Sequence, residues 1–207
     1  METKLNFNIL PLFSIPIVEC TLDANDNVIE YINSLQYKRT NLSNSYISLS
    51  KNVLDNDIMY LYSKHIDDYI KKFLFEVMEY DQKFVTAERV SSWANKHLPG
   101  DWAQSHSHDN SFVSGVWYLE TSNNCGDLEV QIPYAFSGIP INFEKSKNNQ
   151  FNSRDCTLPA IRNKVYIFPS TLTHNVRINK SNKVRTSIAF NYYIRGQLIS
   201  ESNLFYS

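Results

Sequence analysis

From Tyr80 onward the chain changes character, and that change limits what it can fold into. Runs rich in β-branched and aromatic residues cover 87–95, 112–120, 127–132, 164–169, 175–178 and 184–194, with Asn, Ser, Gly and Pro between them. Such runs predict strands. Before Tyr80 the periodicity is helical. Val28, Ile29, Ile32 and Leu35 predict a short helix over 25–36. Ile58, Leu61, Tyr62, Ile66, Tyr69, Ile70, Phe73, Leu74 and Val77 form one apolar stripe over 55–80, with Asp67, Asp68, Lys71 and Lys72 opposite and His65 beside it. Residues 6–22, punctuated by Pro11 and Pro16, read as an extended arm or edge strand. Residues 37–56, rich in Asn and Ser, read as loop. Helices first and strands afterwards imply an α+β, mainly β fold: a sandwich or jelly roll buttressed by N-terminal helices.

The 207 residues suit a single domain, 1–86 forming the arm and supporting helices and 87–196 the β core. A net charge of -1 and the lack of a Lys/Arg run give no nucleic-acid signal. No secretory signal or membrane-length apolar run is visible, so a cytoplasmic, intracellular protein is expected. Three scattered cysteines, Cys20, Cys125 and Cys156, suit a reducing compartment and form no C-x-x-C zinc pattern. The polar stretch 136–160 is long for a loop, as lids and substrate loops are; Arg154 and Asn142 are its candidates for substrate contact.

The chemistry concentrates in QSHSHDNSFVSGVWYLE, residues 104–120. In an extended segment residues i and i+2 share a face, so His106 and His108 can aim two imidazoles at one point. Imidazole suits Fe, Zn, Cu and Ni. Two solvent-facing loop histidines are the plainer alternative. A third histidine, His174, follows an apolar strand and the Pro169-Ser170 turn. Further on, Arg185, Ser187, Ala189 and Asn191 alternate along one face of a strand, with Ile188 and Phe190 on the other. A polar face of that kind can line a cavity for an anion, and arginine reads a carboxylate bidentately. A surface arginine on an edge strand is the alternative.

These pieces occur in a recognisable order: Trp93 and Asn95, QSHSH at 104–108, SGVWYL at 114–119, FPSTLTHNV at 168–176 and RTSIAFN at 185–191. The order resembles the iron(II)- and 2-oxoglutarate-dependent oxygenase superfamily, and within it a bacterial and phage group with an H-x-H, SGVYYL, FPS, distal His and R-x-S pattern. The resemblance spans roughly residues 90–194. It implies a double-stranded β-helix, a jelly-roll or cupin-like barrel, with Fe(II) at its mouth, 2-oxoglutarate as co-substrate and O2 as oxidant. It places His106 and His174 at the metal. The superfamily usually offers a carboxylate two residues after the first histidine, and here that position is His108. Either the metal takes three histidines, or a bulge turns Asp109 inward in place of His108. The resemblance further implies that Arg185 and Ser187 hold the distal carboxylate of 2-oxoglutarate. Asn95, Asn191 and Tyr118 then contact the co-substrate or order the ligands. Trp117 is expected to pack, and Trp93 and Trp102 are ambiguous.

The activity so implied is that of a dioxygenase hydroxylating a protein, nucleotide or small metabolite, with room for a homodimer. Two other classes fit the residues. A non-oxidative metal cupin would act as hydrolase or isomerase through metal-activated water, indifferent to O2 and 2-oxoglutarate. A non-catalytic β-sandwich binding module would leave the histidines metal-free and present an aromatic platform.

Overall fold

The computed structural model describes residues 14–41, 44–133, 144–147, 149 and 151–196. In chain order the strands are β1 (Val18–Thr21), β2 (Tyr37–Thr40), β3 (Ser45–Ser48), β4 (Val85–His97), β5 (Ala103–His106), β6 (Val113–Glu120), β7 (Leu128–Gln131), β8 (Asp155–Leu158), β9 (Lys164–Pro169), β10 (His174–Val176) and β11 (Arg185–Gly196). The helices are α1 (Asp26–Ser34) and α2 (Tyr60–Lys72). The strands form two antiparallel sheets, a major one ordered β1-β9-β6-β11-β4-β3-β2 and a minor one ordered β5-β10-β7-β8. This is the double-stranded β-helix architecture.

Period-two alternation in the central strands builds a core on each side of the major sheet. Val113, Trp117 and Leu119 of β6, Val165 and Ile167 of β9, and Ile188 and Phe190 of β11 pack with the helices. The alternate residues Tyr118, Tyr166 and Phe168 pack with Leu128 and Val130 of the minor sheet. Trp117 is fully buried, stacks on Tyr62 of α2 at 5.4 Å, and donates its indole N–H to the Leu22 carbonyl at 2.9 Å. Helix α1 starts at an Asn25 cap, whose side chain accepts the Val28 N–H at 3.1 Å, and it buries Val28 and Ile32.

Several sequence expectations shift. The expected helix over 55–80 is divided into 3-10 turns at Val53–Asp55 and Asp57–Met59, then α2, then a π-helical segment at Phe73–Val77. Its buried stripe is narrower than the apolar pattern: Ile66, Ile70, Phe73 and Leu74 are inside, while Leu61 is 63% exposed. The expected loop over 37–56 contains the β2–β3 hairpin, which extends the major sheet beyond β4. Serine hydroxyls make this polar segment compatible with burial. Ser48 Oγ accepts the Ala94 N–H at 3.0 Å and donates to the Ser50 carbonyl at 2.7 Å. Strand β8 lies within the expected loop over 136–160, paired with β7. The start of the expected N-terminal arm and Asn142 lie outside the described residues. No described helix is long and apolar enough to cross a membrane.

Candidate active site

Strands β5 and β10 are antiparallel neighbours, and their register sets His106 opposite His174. The two ring centroids are 4.4 Å apart. His108 lies beyond the end of β5, so its approach to His106 does not come from regular strand alternation. A backbone bond brings the chain back instead: the His108 N–H donates to the Ser170 carbonyl at 2.9 Å. The His108 ring then lies 5.1 Å from His106 and 5.2 Å from His174, with Trp93 at 5.9 Å on another side. One ring nitrogen from each of the three histidines falls within 4.8 Å of the others. Asp109 is not in this group; it is exposed and accepts a hydrogen bond from Ser107 Oγ at 2.8 Å.

Two of the rings are oriented by the main chain. His106 Nδ1–H donates to the Gln104 carbonyl at 2.8 Å, and His174 Nδ1–H donates to the Leu172 carbonyl at 2.8 Å. A carbonyl can only accept, so in the neutral rings the lone pair lies on Nε2. Burial, with neighbouring imidazoles, pushes His108 and His174 down to about 4. Both are therefore neutral at pH 7, the form that ligates a metal. Three imidazole nitrogens converging beside a cavity fit a transition metal.

The cavity, of about 400 Å³, lies between the sheets and is lined by all three histidines together with Trp93, Asn95, Tyr118, Arg185 and Ser187. Three adjacent strands of the major sheet set one rung of it. Ser187 of β11 is opposite Asn95 of β4 on one side and Tyr118 of β6 on the other. Trp93 Nε1–H donates to Asn95 Oδ1 at 3.1 Å. Arg185 occupies the neighbouring position and is 1% exposed. It donates from Nη1 to the Gly126 carbonyl and from Nη2 to His97 Nδ1, the latter at 2.8 Å, and its guanidinium sits 5.6 Å from the Tyr118 ring centre. Among the described residues no carboxylate forms an ion pair with it. A buried cation with no carboxylate in direct contact is costly, and such a position can take an anionic ligand.

Asn191 is not among the residues lining the cavity. Its Oδ1 accepts from Ser114 Oγ at 2.8 Å, and Ser114 Oγ shares a 2.8 Å hydrogen bond with Ser170 Oγ. Asn191 thus props the residue whose carbonyl fixes His108. Arg154, a candidate for substrate contact, does not line the cavity either. His97 is the residue that the sequence reading missed. It continues the Trp93, Asn95 alternation of β4 by one step, and that spacing was its only signal in the sequence.

Residues 91–191 match the family described as "Putative 2OG-Fe(II) oxygenase". No curated protein matches the chain. Among solved structures, a Pseudomonas putida prolyl-4-hydroxylase aligns at 12% identity over 88% of this chain and 95% of its own, with a TM-score of 0.57. The epimerase SnoN, in complex with Fe3+, alpha ketoglutarate and nogalamycin RO, aligns at 11% identity over 88% of this chain and 82% of its own, with a TM-score of 0.61. HygX from Streptomyces hygroscopicus, with nickel and 2-oxoglutarate bound, aligns at 9% identity over 89% of this chain and 84% of its own, with a TM-score of 0.55. At such identities these likenesses speak for the shared fold. The sequence match covers all three histidines and Arg185, and over those residues this chain is similar to the 2OG-Fe(II) oxygenase family.

Proposed function

We propose that the chain is an iron(II)- and 2-oxoglutarate-dependent dioxygenase that hydroxylates a protein, nucleotide or small metabolite. The observation that carries this reading is the pairing, in one cavity, of a three-histidine face with a buried guanidinium that has no carboxylate ion-pair partner among the described residues. His106, His108 and His174 would hold Fe(II). The chemistry such a metal supplies is oxidative decarboxylation of 2-oxoglutarate to succinate and CO2, with one atom of O2 entering a substrate C–H bond.

The protein's own share is binding and exclusion. Arg185 pairs with the distal carboxylate of 2-oxoglutarate, and Ser187 adds a hydroxyl from the same face of β11. Trp93, Val116 and Phe168 supply cavity wall and keep water from the reacting centre. Thr40, Ile47 and Lys51, from the region of the β2–β3 hairpin, add to the lining, and Lys51 Nζ lies 5.2 Å from the Trp93 ring. These are the residues a substrate would meet.

Anaerobic titration of metal-free protein with Fe(II) and then 2-oxoglutarate tests the reading. A weak visible charge-transfer band, followed on aeration by one succinate per 2-oxoglutarate consumed, is expected. The three-imidazole group contains no carboxylate, and this favours a second reading, a non-oxidative zinc cupin. Tight zinc binding with no band and no succinate would select it.

A further inference from the structure

His97 is 3% exposed, lines the same cavity as the three-histidine group, and has no part in that group. Its register partner across β4 and β11 is Arg185. The hydrogen bond between them has one possible polarity. Arginine carries only donors, so Nη2–H donates and His97 Nδ1 accepts at 2.8 Å. In the neutral ring the proton must then sit on Nε2. That Nε2–H is buried and has no hydrogen-bond partner among the described residues, and the same holds for Nε–H of Arg185. Buried polar groups are otherwise nearly always paired. Two unpaired donors on one cross-strand pair, beside a cavity and a buried cation with no carboxylate in direct contact among the described residues, describe an anion site that a ligand completes. The tautomer also keeps His97 from serving as a fourth metal ligand, because its lone pair is spent on Arg185.

We propose that His97 is a co-substrate-binding residue: its Nδ1 fixes the Arg185 guanidinium, and its Nε2–H donates to the distal carboxylate of the bound 2-oxo acid. This inference rests on the oxygenase reading and adds a residue to its anion site. It makes a specificity statement. The imidazole acts on a 2-oxo acid with a second carboxylate and is indifferent to one without it.

The test uses full-length protein loaded with Zn(II), which keeps the metal redox-silent, and calorimetric titration with 2-oxoglutarate and with 2-oxovalerate. The variant is His97→Asn. Its amide oxygen can replace Nδ1 towards Arg185, but nothing in it reaches the position of Nε2. A charge-assisted hydrogen bond of this kind predicts about 10- to 100-fold weaker 2-oxoglutarate binding. Binding of 2-oxovalerate should be unchanged. Wild type is also followed by 15N NMR of its labelled histidines, where the His97 Nε2–H resonance should appear as the neutral tautomer and move on addition of 2-oxoglutarate. Equal 2-oxoglutarate binding by wild type and His97→Asn overturns the proposal alone, as does equal weakening for both 2-oxo acids. If the variant does not fold, an unmoved wild-type resonance at saturating 2-oxoglutarate overturns it. Wild type that binds no 2-oxoglutarate overturns the oxygenase reading and this proposal together.

Discussion

His106 and His174 face each other across adjacent antiparallel strands, their ring centroids 4.4 Å apart and each Nδ1 tied to the main-chain carbonyl two residues before it. Two donors are thus set by sheet register and by short local bonds, the rigid kind of support a metal site needs. His108 differs. It sits past the strand end and depends on one backbone bond to Ser170, which is itself held through Ser114 and Asn191.

The ligand set can be read by substitution on that basis. His108→Ala should weaken Fe(II) binding on the order of 100-fold or more, since even lost outer contacts commonly cost 10- to 100-fold. Asp109→Ala should leave it unchanged, because that carboxylate points to Ser107 and solvent. His108→Asp should retain metal and restore the usual two-histidine, one-carboxylate face. Anaerobic Fe(II) titration of the variants checks all three, and loss of binding in Asp109→Ala would reverse the assignment.

Arg185 controls the other end of the cavity. Removing one partner of a buried charge pair typically costs 2–5 kcal/mol, so Arg185→Met should weaken 2-oxoglutarate binding roughly 30-fold or more. Metal binding should survive, since Arg185 is not in the histidine group. The check is thermal unfolding with Fe(II) present: 2-oxoglutarate should raise the wild-type midpoint and leave that of Arg185→Met where it was.

How much of this was legible depended on what each residue's neighbours in sequence could reveal. The alternation of Arg185, Ser187 and Ala189 against Ile188 and Phe190 was readable because one face lines the cavity and the other the apolar core. Strand β5 was not, because AQSH is short and carries no apolar alternation, although Ala103, Gln104 and His106 line the cavity. The β2–β3 hairpin was missed because its buried positions are Ser45 and Ser48, which read as loop until the hydroxyl bonds of Ser48 are seen. His97 fell two residues past the expected end of its strand at 95, in NKHLPGDW, where nothing local points to Arg185 eighty-eight residues away. The H-x-H pair does converge, but not by strand alternation: His108 lies past the end of β5, and its backbone bond to Ser170 brings it beside His106.

Gly115 offers a test of the core that backs the site. It lies in β6 between Ser114 and Val116, and an added Cβ would come within 2.3 Å of the Phe190 ring and 2.8 Å of the Tyr166 carbonyl. The carbonyl belongs to the neighbouring strand and cannot yield without disturbing the β6–β9 ladder. Gly115→Ala should therefore destabilise the fold by about 1–3 kcal/mol through overpacking. Urea denaturation checks this, and an unchanged midpoint would mean that the ring and both strands shift freely.

The pH dependence of the metal-free protein should also report on His97. In the unfolded chain a histidine titrates near its ordinary value of about 6.5. In the fold, burial and then the Arg185 cation hold His97 down to about 2. Between those values the unfolded chain takes up a proton that the native state does not. The stabilisation is thus complete above the unfolded value and is lost as the pH falls below it. Between pH 8 and pH 5 this amounts to about 2 kcal/mol. His108 and His174, held down to about 4, act in the same direction, and the carboxylates add their own slope at lower pH. The informative quantity is therefore a difference: urea-derived stability of His97→Asn should fall between pH 8 and pH 5 by about 2 kcal/mol less than that of wild type. Parallel profiles would mean that His97 takes a proton in the native state. Its Nδ1 would then no longer accept from Arg185, and the buried pair would have opened.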